Sequence, residues 1–320
     1  MKYFCSIIVP FKNAEKTISK CIQSVIKQDG DVKYEIIFID DFSNDNSSII
    51  CRQAIKGKSN CKIIKSKLIS VGPGHARNLG IKCAQGQYVF FVDSDDKIKK
   101  NTIKLLEKKI KEEKNPDLLC VNYKVIDEVG NFKKKYRFDL KFYKTTKKIL
   151  LLNYFNLSLI PQVISNLIKK ETINKHKIFF NRGYFEDVYF FFLILYYSKT
   201  IRIFTQKLYI KINRFNSIVN SLSERHINDS LTGYYRCQRF LLKKKFLNKL
   251  DLRKYFLIAI TGQVAVFLKR ISKETNLRKK LNLHKFLRKN YFKFQKKIRY
   301  NHYFVTKKDI IAKKFLYDKS

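Results

Sequence analysis

The stretch that decides the fold is Gly86–Asp96, GQYVFFVDSDD. Its Tyr88–Asp93 portion is a β-branched and aromatic run that breaks into Asp93, Ser94, Asp95 and Asp96. A run without polar alternation suits a strand buried on both faces of a parallel sheet. Three more strands are expected upstream: Cys5–Pro10 (CSIIVP), Glu35–Asp40 (EIIFID) and Cys61–Ser66 (CKIIKS). Between the first two, Ala14, Ile18, Cys21, Ile22, Val25 and Ile26 recur at helical spacing. Asp45–Ile55, Gly74–Ala84 and Thr102–Glu112 also read as helices. Strand and helix in alternation predict an α/β layered sheet with right-handed crossovers. Ligands of such sheets sit at the carboxyl ends of the strands.

After Asp117 the rhythm changes. Leu118–Tyr123 is strand-like, and Val129–Gly130–Asn131 reads as a hairpin turn. Ile164–Ile168, Ile201–Thr205 and Leu208–Ile212 are expected as short strands around an apolar helix at Asp187–Ser198. Beyond Ser221 the chain reads as helical and cationic, which sets a soft boundary at residue 225: one domain over 1–225 and a basic, aromatic-rich helical region over 226–320. Leu231–Ser320 holds 26 Lys or Arg against 4 Asp or Glu, more than half of the whole chain's net charge of +42. Such a balance calls for a polyanionic neighbour: nucleic acid, an anionic membrane surface or a phosphorylated small molecule. Part of it reads as AT-rich coding bias, given the abundance of Lys, Ile, Asn and Phe.

Composition excludes several classes. The chain is 45% apolar over 320 residues, with 10 Gly and 4 Pro, so it is neither disordered throughout nor collagen-like. Its 7 cysteines include no C-x-x-C pair and are odd in number, which fits reduced, buried thiols in a cytoplasmic protein. No apolar run reaches the about 18 residues of a membrane-spanning helix. The opening MKYFCSIIVPF lacks a small-residue cleavage site and reads as a strand.

The chemistry concentrates at two strand ends. EIIFID releases Asp40 and Asp41, and YVFFVD releases Asp93, Asp95 and Asp96. One strand-end aspartate alone most often caps the next helix, as Asp41, Ser43 or Asp95 would here. Two carboxylate clusters at one sheet edge instead form an electronegative site that calls for a cation, a set of hydroxyls or both, and the D-x-D spacing suits a hard divalent ion.

Four ordered blocks carry a resemblance: SIIVPFKNAEKTISKCIQSVIKQ (6–28), EIIFIDDFSNDNS (35–47), GPGHARNLGIKCAQGQYVFFVDSDD (72–96) and GYFEDVYF (183–190). Together they resemble the family 2 glycosyltransferases of GT-A fold, over residues 4–218 and most densely before Lys97. The resemblance implies a Rossmann-like mixed sheet with helices on both faces, followed by the basic helical region. It implies inverting transfer of a sugar from a UDP-sugar to a hydroxyl of a growing glycan such as lipooligosaccharide or capsule, with Mn2+ or Mg2+. By position, Asp41 resembles the residue that reads uracil, Asp93 the one near ribose and metal, and Asp95 the metal ligand on the diphosphate. Pro10, Arg77 and Ser94 are implied donor contacts, with Lys12, Asp40, Glu186 and Arg214 as weaker candidates. Asp187 resembles the catalytic base. For Arg77 the plain alternative is a surface salt bridge, and for Asp187 it is helix capping beside Glu186.

The chain also departs from the family. Lys12 stands where an aromatic residue often stacks on the base, Phe42 where a glycine usually follows the paired aspartates, and His75 where a small residue is usual. Arg214–Phe215–Asn216–Ser217 falls where the family has a segment near the phosphates. The expected location is the cytoplasm, peripherally on the inner face of the membrane. There the basic region would meet anionic lipid, with its aromatics at headgroup level and a lipid-linked glycan as acceptor; a packed helical cap with solvated lysines is the alternative. A nucleic-acid-binding protein is a rival reading, disfavoured because the carboxylates repel a phosphate backbone, so no specific nucleic acid is expected as a partner. A catalytically inactive carbohydrate-binding relative is another. A dinucleotide oxidoreductase is disfavoured because the first strand opens into PFKNAE, not G-x-G-x-x-G.

Overall fold

A computed structural model describes residues 2–67, 72–136, 146–155, 162–214, 222–246 and 248–298. Its strands are β1 (Tyr3–Phe11), β2 (Tyr34–Asp40), β3 (Cys61–Lys65), β4 (Gly86–Phe91), β5 (Lys97–Ile98), β6 (Leu118–Asp127), β7 (Phe132–Tyr136), β8 (Asn166–Lys169) and β9 (Ile201–Asn213). The helices are α1 (Ile18–Ile26), α2 (Ser47–Ile55), α3 (Gly74–Cys83), α4 (Thr102–Glu112), α5 (Lys147–Phe155), α6 (Lys170–Lys175), α7 (Asp187–Tyr197), α8 (Glu224–Lys243), α9 (Lys249–Ile271) and α10 (Leu277–Ile298). Chain contacts divide these into two units. The first takes the described residues within Met1–Thr145, Gln162–Gly183 and Leu193–Arg214; the second takes those within Thr146–Pro161, Tyr184–Phe192 and Phe215–Ser320. The boundary expected at residue 225 falls inside the second unit.

The first unit holds one nine-stranded mixed sheet, in the order β3-β2-β1-β4-β8-β6-β9-β5, with β7 added to β6. β1 lies parallel between β2 and β4, which is why Cys5–Phe11 is buried throughout. α1 presents Ile18, Cys21, Ile22 and Val25 to the core, and α4 presents Ile103, Leu106 and Ile110, the 3.6-residue stripe that hydrophobic burial selects. The expected hairpin is present as β6–β7, its turn using Gly130 at φ +96°.

Several boundaries differ from expectation. β4 ends at Phe91, so Asp93 belongs to the turn beyond it, closed by Asp96 N–H donating to Asp93 C=O at 2.9 Å. The two strands expected at Ile201–Thr205 and Leu208–Ile212 are one strand, β9. The polar Thr205–Gln206–Lys207 is carried across by a register shift against β6 between Val121 and Tyr123. The strand expected over Ile164–Ile168 begins at Asn166, with Ile164 making only an isolated bridge to Phe91. β5, α5 and α6 are further elements that local pattern does not announce.

At the amino ends of β1, β2 and β4 a polar staple holds the parallel block. Ser6 Oγ donates to Glu35 Oε1 at 2.7 Å and accepts from Gly86 N–H at 2.9 Å, while Lys62 Nζ meets Glu35 Oε2 at 2.9 Å. Burial raises the Glu35 carboxyl, but the bonds from Ser6, Gln85 N–H and Lys62 carry it net below the ordinary range. Gly86 is required here for space: a Cβ would lie 2.5 Å from the Cys5 carbonyl carbon and from Ser6 N. Gly86→Ala should therefore destabilise the protein by about 3 kcal/mol, the upper range for overpacking, read as a lowered Tm. An unchanged Tm would show that β1 and β4 can separate freely.

The second unit packs helices around aromatic side chains. Tyr154 of α5 has ring-centroid distances of 5.8 Å to Phe192 and 6.0 Å to Tyr234, and its hydroxyl donates to Val188 C=O. Gly233 of α8 lets Val188 approach, since a Cβ there would sit 3.0 Å from Val188 Cβ. Of the aromatics expected at a membrane headgroup level, Tyr234, Phe256, Phe267 and Tyr291 are fully buried in this packing, while Tyr235, Phe240, Phe246, Phe286 and Phe292 are half-buried. Phe294 is not among the side chains described. Among the described residues no helix is long and apolar enough to cross a membrane.

Candidate active site

Three neighbouring parallel strands end together. β1 delivers Pro10, buried and in register with Ile39; β2 delivers Asp40 and Asp41; β4 leads into Asp93–Asp96. The loops after β1 and β2 are laced together. Asn13 N–H donates to Ser43 Oγ at 3.1 Å, Asn44 N–H to Asn13 Oδ1 at 2.8 Å, and Ala14 N–H to Ser47 Oγ at 2.7 Å. Asp40 is a turn-former: its Oδ1 accepts Ser43 N–H at 2.9 Å. Asp41 is buried, and its N–H donates to Phe11 C=O at 2.9 Å. Phe42 sits at φ +62°, the left-handed region that explains why glycine is the usual occupant of this position. Lys12 is exposed beside them, and His75 is half-buried on α3.

Helix capping is not the work of these aspartates. α2 starts at Ser47, whose N–H and Oγ both go to Asp45 Oδ1, at 3.0 and 2.5 Å. Asp95 is followed by the short strand β5, not by a helix.

Beyond β4 the carboxylates crowd. Asp93, Asp95 and Asp96 each offer an oxygen within 4.8 Å of the others. Asp96 is buried and saturated: Oδ2 accepts the Tyr209 hydroxyl at 2.6 Å and Oδ1 accepts Ile212 N–H at 2.7 Å. The same Tyr209 hydroxyl accepts Asp93 N–H at 3.2 Å, so β9 pins both ends of the turn. Asp93 Oδ1 accepts Arg77 Nη2 at 2.7 Å. Asp95 Oδ2 accepts a fork from Arg214, Nε at 3.0 Å and Nη2 at 2.5 Å. Arg77 is no surface ion pair: it is 4% exposed, with its guanidinium 5.5 Å from the centre of the Phe180 ring. Ser94 is half-buried between the two ion-paired aspartates.

Electrostatically this turn is overloaded. Burial, then the charge of Asp93, pushes the Asp95 carboxyl above the ordinary range, against the pull of Arg214. Burial and the charge of Asp95 push Asp96 well above it. Asp95 Oδ1 and Asp93 Oδ2 take no hydrogen bond among the described residues. Two such oxygens on adjacent carboxylates fit Mn2+ or Mg2+, which need only one or two protein carboxylates when phosphate oxygens complete the shell.

Phe215, Asn216 and Ser217 lie outside the described residues. Glu186 and Asp187 belong to the second unit, Glu186 buried and Asp187 half-buried as the first residue of α7. Asp96, already part of the acidic cluster read from the sequence, and Tyr209 and Phe180, which were not anticipated, complete the first unit's cluster. Only Asp96 had a sequence signal, its place in the DSDD run.

Comparison with known proteins agrees with this architecture. Residues 6–190 match the family described as Glycosyl transferase family 2. The chain belongs to that family. TarP of Staphylococcus aureus strain N315, named a poly(ribitol-phosphate) beta-N-acetylglucosaminyltransferase, is 32% identical over 248 residues, covering 72% of this chain and 68% of TarP. The glycosyltransferase GlyG of Streptococcus pneumoniae serotype 4 is 35% identical over 133 residues, 41% of this chain. That match spans 43% of GlyG, so the chain covers less than half of this relative. The crystal structure of S. aureus TarS 1-349 in complex with UDP-GlcNAc aligns with a TM-score of 0.67 at 22% identity, covering 90% of this chain and 80% of that one. This family 2 chain therefore has the GT-A fold, and its aspartates sit at the strand ends where the fold exposes ligand sites.

Proposed function

We propose that the protein is an inverting, metal-dependent glycosyltransferase moving a hexosyl or N-acetylhexosaminyl group from a UDP-sugar to a hydroxyl of a surface-glycan acceptor. The observation that carries the reading is the Asp93–Asp95 pair beside the β1 and β2 ends, each carboxylate with one oxygen on an arginine and one still available. The similarity to TarP, named a poly(ribitol-phosphate) beta-N-acetylglucosaminyltransferase, and to the UDP-GlcNAc complex of TarS supports UDP-N-acetylglucosamine as the first donor to try and a polyol-phosphate or glycan polymer as acceptor.

In this reading Asp41 accepts from the uracil N–H, and Pro10 and Ser94 border the nucleotide. Asp93 and Asp95 hold Mn2+ or Mg2+, which when bound offsets the negative charge of the diphosphate. Arg77 and Arg214 keep the two carboxylates oriented, so the site is organised before the donor arrives. The acceptor hydroxyl attacks the anomeric carbon from the face opposite the leaving UDP. Asp187 takes its proton as the new bond forms. UDP leaves as an anion and needs no proton, so a single base suffices.

The test is calorimetric titration of UDP with Mn2+ and again with chelator. Binding that needs the metal supports the reading; no binding in either arm sinks it.

The second partner proposed is an anionic membrane surface. α10 carries Arg278, Lys279, Lys280, Lys285, Arg288, Lys289, Lys293, Lys296 and Lys297 and no acidic residue, with Leu277 at 74% and Leu281 at 60% exposure. Each cation near such a surface contributes about 1 kcal/mol. Flotation with liposomes containing anionic lipid is expected to carry the protein, and neutral liposomes are not. Equal failure with both returns α10 to a solvated face.

A further inference from the structure

We infer that His226 of α8 is a positioning residue for the Asp187 carboxylate, holding the Gly183–Glu186 turn in the one conformation that aims it. This rests on the reading of Asp187 as the base. The turn is not relaxed by itself. Gly183 has φ +114°, and Phe185, two residues before Asp187, has φ +56°. A phenylalanine adopts that region only where its surroundings enforce it, and such positions concentrate at functional sites.

The enforcement comes from the C-terminal helices. The His226 imidazole stacks flat on the Tyr184 ring, with centroids 3.9 Å apart and planes 6° from parallel. It meets the Phe185 ring edge-on at 6.3 Å, and Phe185 meets Phe267 of α9 edge-on at 6.1 Å. One imidazole thus touches two successive side chains of the turn. His226 is 4% exposed, and Ser223 Oγ lies 2.7 Å from its Nδ1, which fixes the ring's rotation. Three residues on, and so on the same helical face, Asp229 Oδ2 accepts the Tyr184 N–H at 3.0 Å. Asp229 is itself oriented by Arg225, whose Nε is 3.5 Å away. Backbone and both side chains preceding Glu186–Asp187 are therefore held by α8. A carboxylate that must meet a hydroxyl proton tolerates little displacement, since about 1 Å of misplacement costs as much as 100-fold in rate. The basic C-terminal region is on this account part of the catalytic apparatus, whatever else its charge attracts.

The experiment follows UDP release from whichever of UDP-GlcNAc, UDP-glucose and UDP-galactose the wild type turns over, alongside UDP affinity. His226→Ala should lower kcat by about 10- to 100-fold while UDP affinity stays within about twofold. His226→Phe, which keeps a flat ring for Tyr184, should recover most of kcat. Normal turnover in His226→Ala, with Asp187→Asn inactive, overturns the positioning role and leaves the base intact. Equal loss of kcat and UDP affinity, without rescue by phenylalanine, also overturns it, because that is plain loss of structure. Normal turnover in Asp187→Asn removes the base itself and the inference with it. Should the alanine variant fail to fold, Asp229→Asn, which weakens the hold on Tyr184 N–H without opening a cavity, carries the same comparison.

Discussion

Asp95→Ala is expected to abolish the metal-dependent part of UDP binding, by about 100-fold or more in affinity, while leaving the fold intact. Changes in the outer shell of a metal site already cost about 10- to 100-fold, so loss of a direct ligand belongs at or above that range. Stability should hardly fall, because this carboxylate is poorly placed energetically: burial and the charge of Asp93 both disfavour its ionised form. Removing it relieves repulsion on Asp93 and Asp96. The cost is the Arg214 fork, whose side chain keeps 34% of its surface and so finds water. A change in Tm of no more than a few degrees is the expected companion result. Arg214, released from Asp95, becomes a cation for the diphosphate, so the variant should retain a weak affinity for UDP that is the same with Mn2+ and with chelator. Calorimetry on both proteins, with and without metal, reads all of this. Metal-dependent binding of wild-type strength in the variant would mean that Asp95 is not a ligand.

How far such a site is visible in a sequence depends on how local its causes are. β1, β2 and β4 are legible because a strand buried on both faces is apolar along its middle, as Ile7–Pro10, Ile36–Ile39 and Tyr88–Phe91 are, with the buried Ser6 and Glu35 satisfying each other at the amino ends. The aspartates are legible for the complementary reason: charge that interrupts such a run can lie only where the strand leaves the core. What holds them is not legible. Tyr209 reads as an ordinary β residue, yet its hydroxyl touches both Asp93 and Asp96 from 113 residues or more along the chain. Arg214 was a weak candidate by resemblance, and only the pairing of β9 with β6 and β5 sets its guanidinium on Asp95, 119 residues away. The same strand defeats local reading at Thr205–Lys207, where polarity suggests a turn and a register shift absorbs it. In the second unit, α5 and the Tyr184–Phe192 segment join the C-terminal helices through aromatic contacts that no periodicity in either segment encodes.

Asp187→Asn tests the other half of the chemistry and should separate cleanly from Asp95→Ala. Asparagine keeps the size and planarity of the side chain and its place as the first residue of α7. It cannot accept a proton at neutral pH. Donor binding is assigned to groups of the first unit, so UDP affinity and its metal dependence should match wild type. Turnover should fall by about 10^2- to 10^4-fold, the contribution of a positioned general base. The loss belongs in kcat, because the substituted group acts on the proton of the hydroxyl and not on the nucleotide. Glu186, adjacent and buried, is the only other acidic residue in that turn, and it sets the second comparison. If Glu186→Gln, not Asp187→Asn, removes turnover while UDP still binds, the base is reassigned by one residue. If neither variant slows UDP release below half the wild-type rate, the proton leaves by another route and the inverting mechanism loses its base.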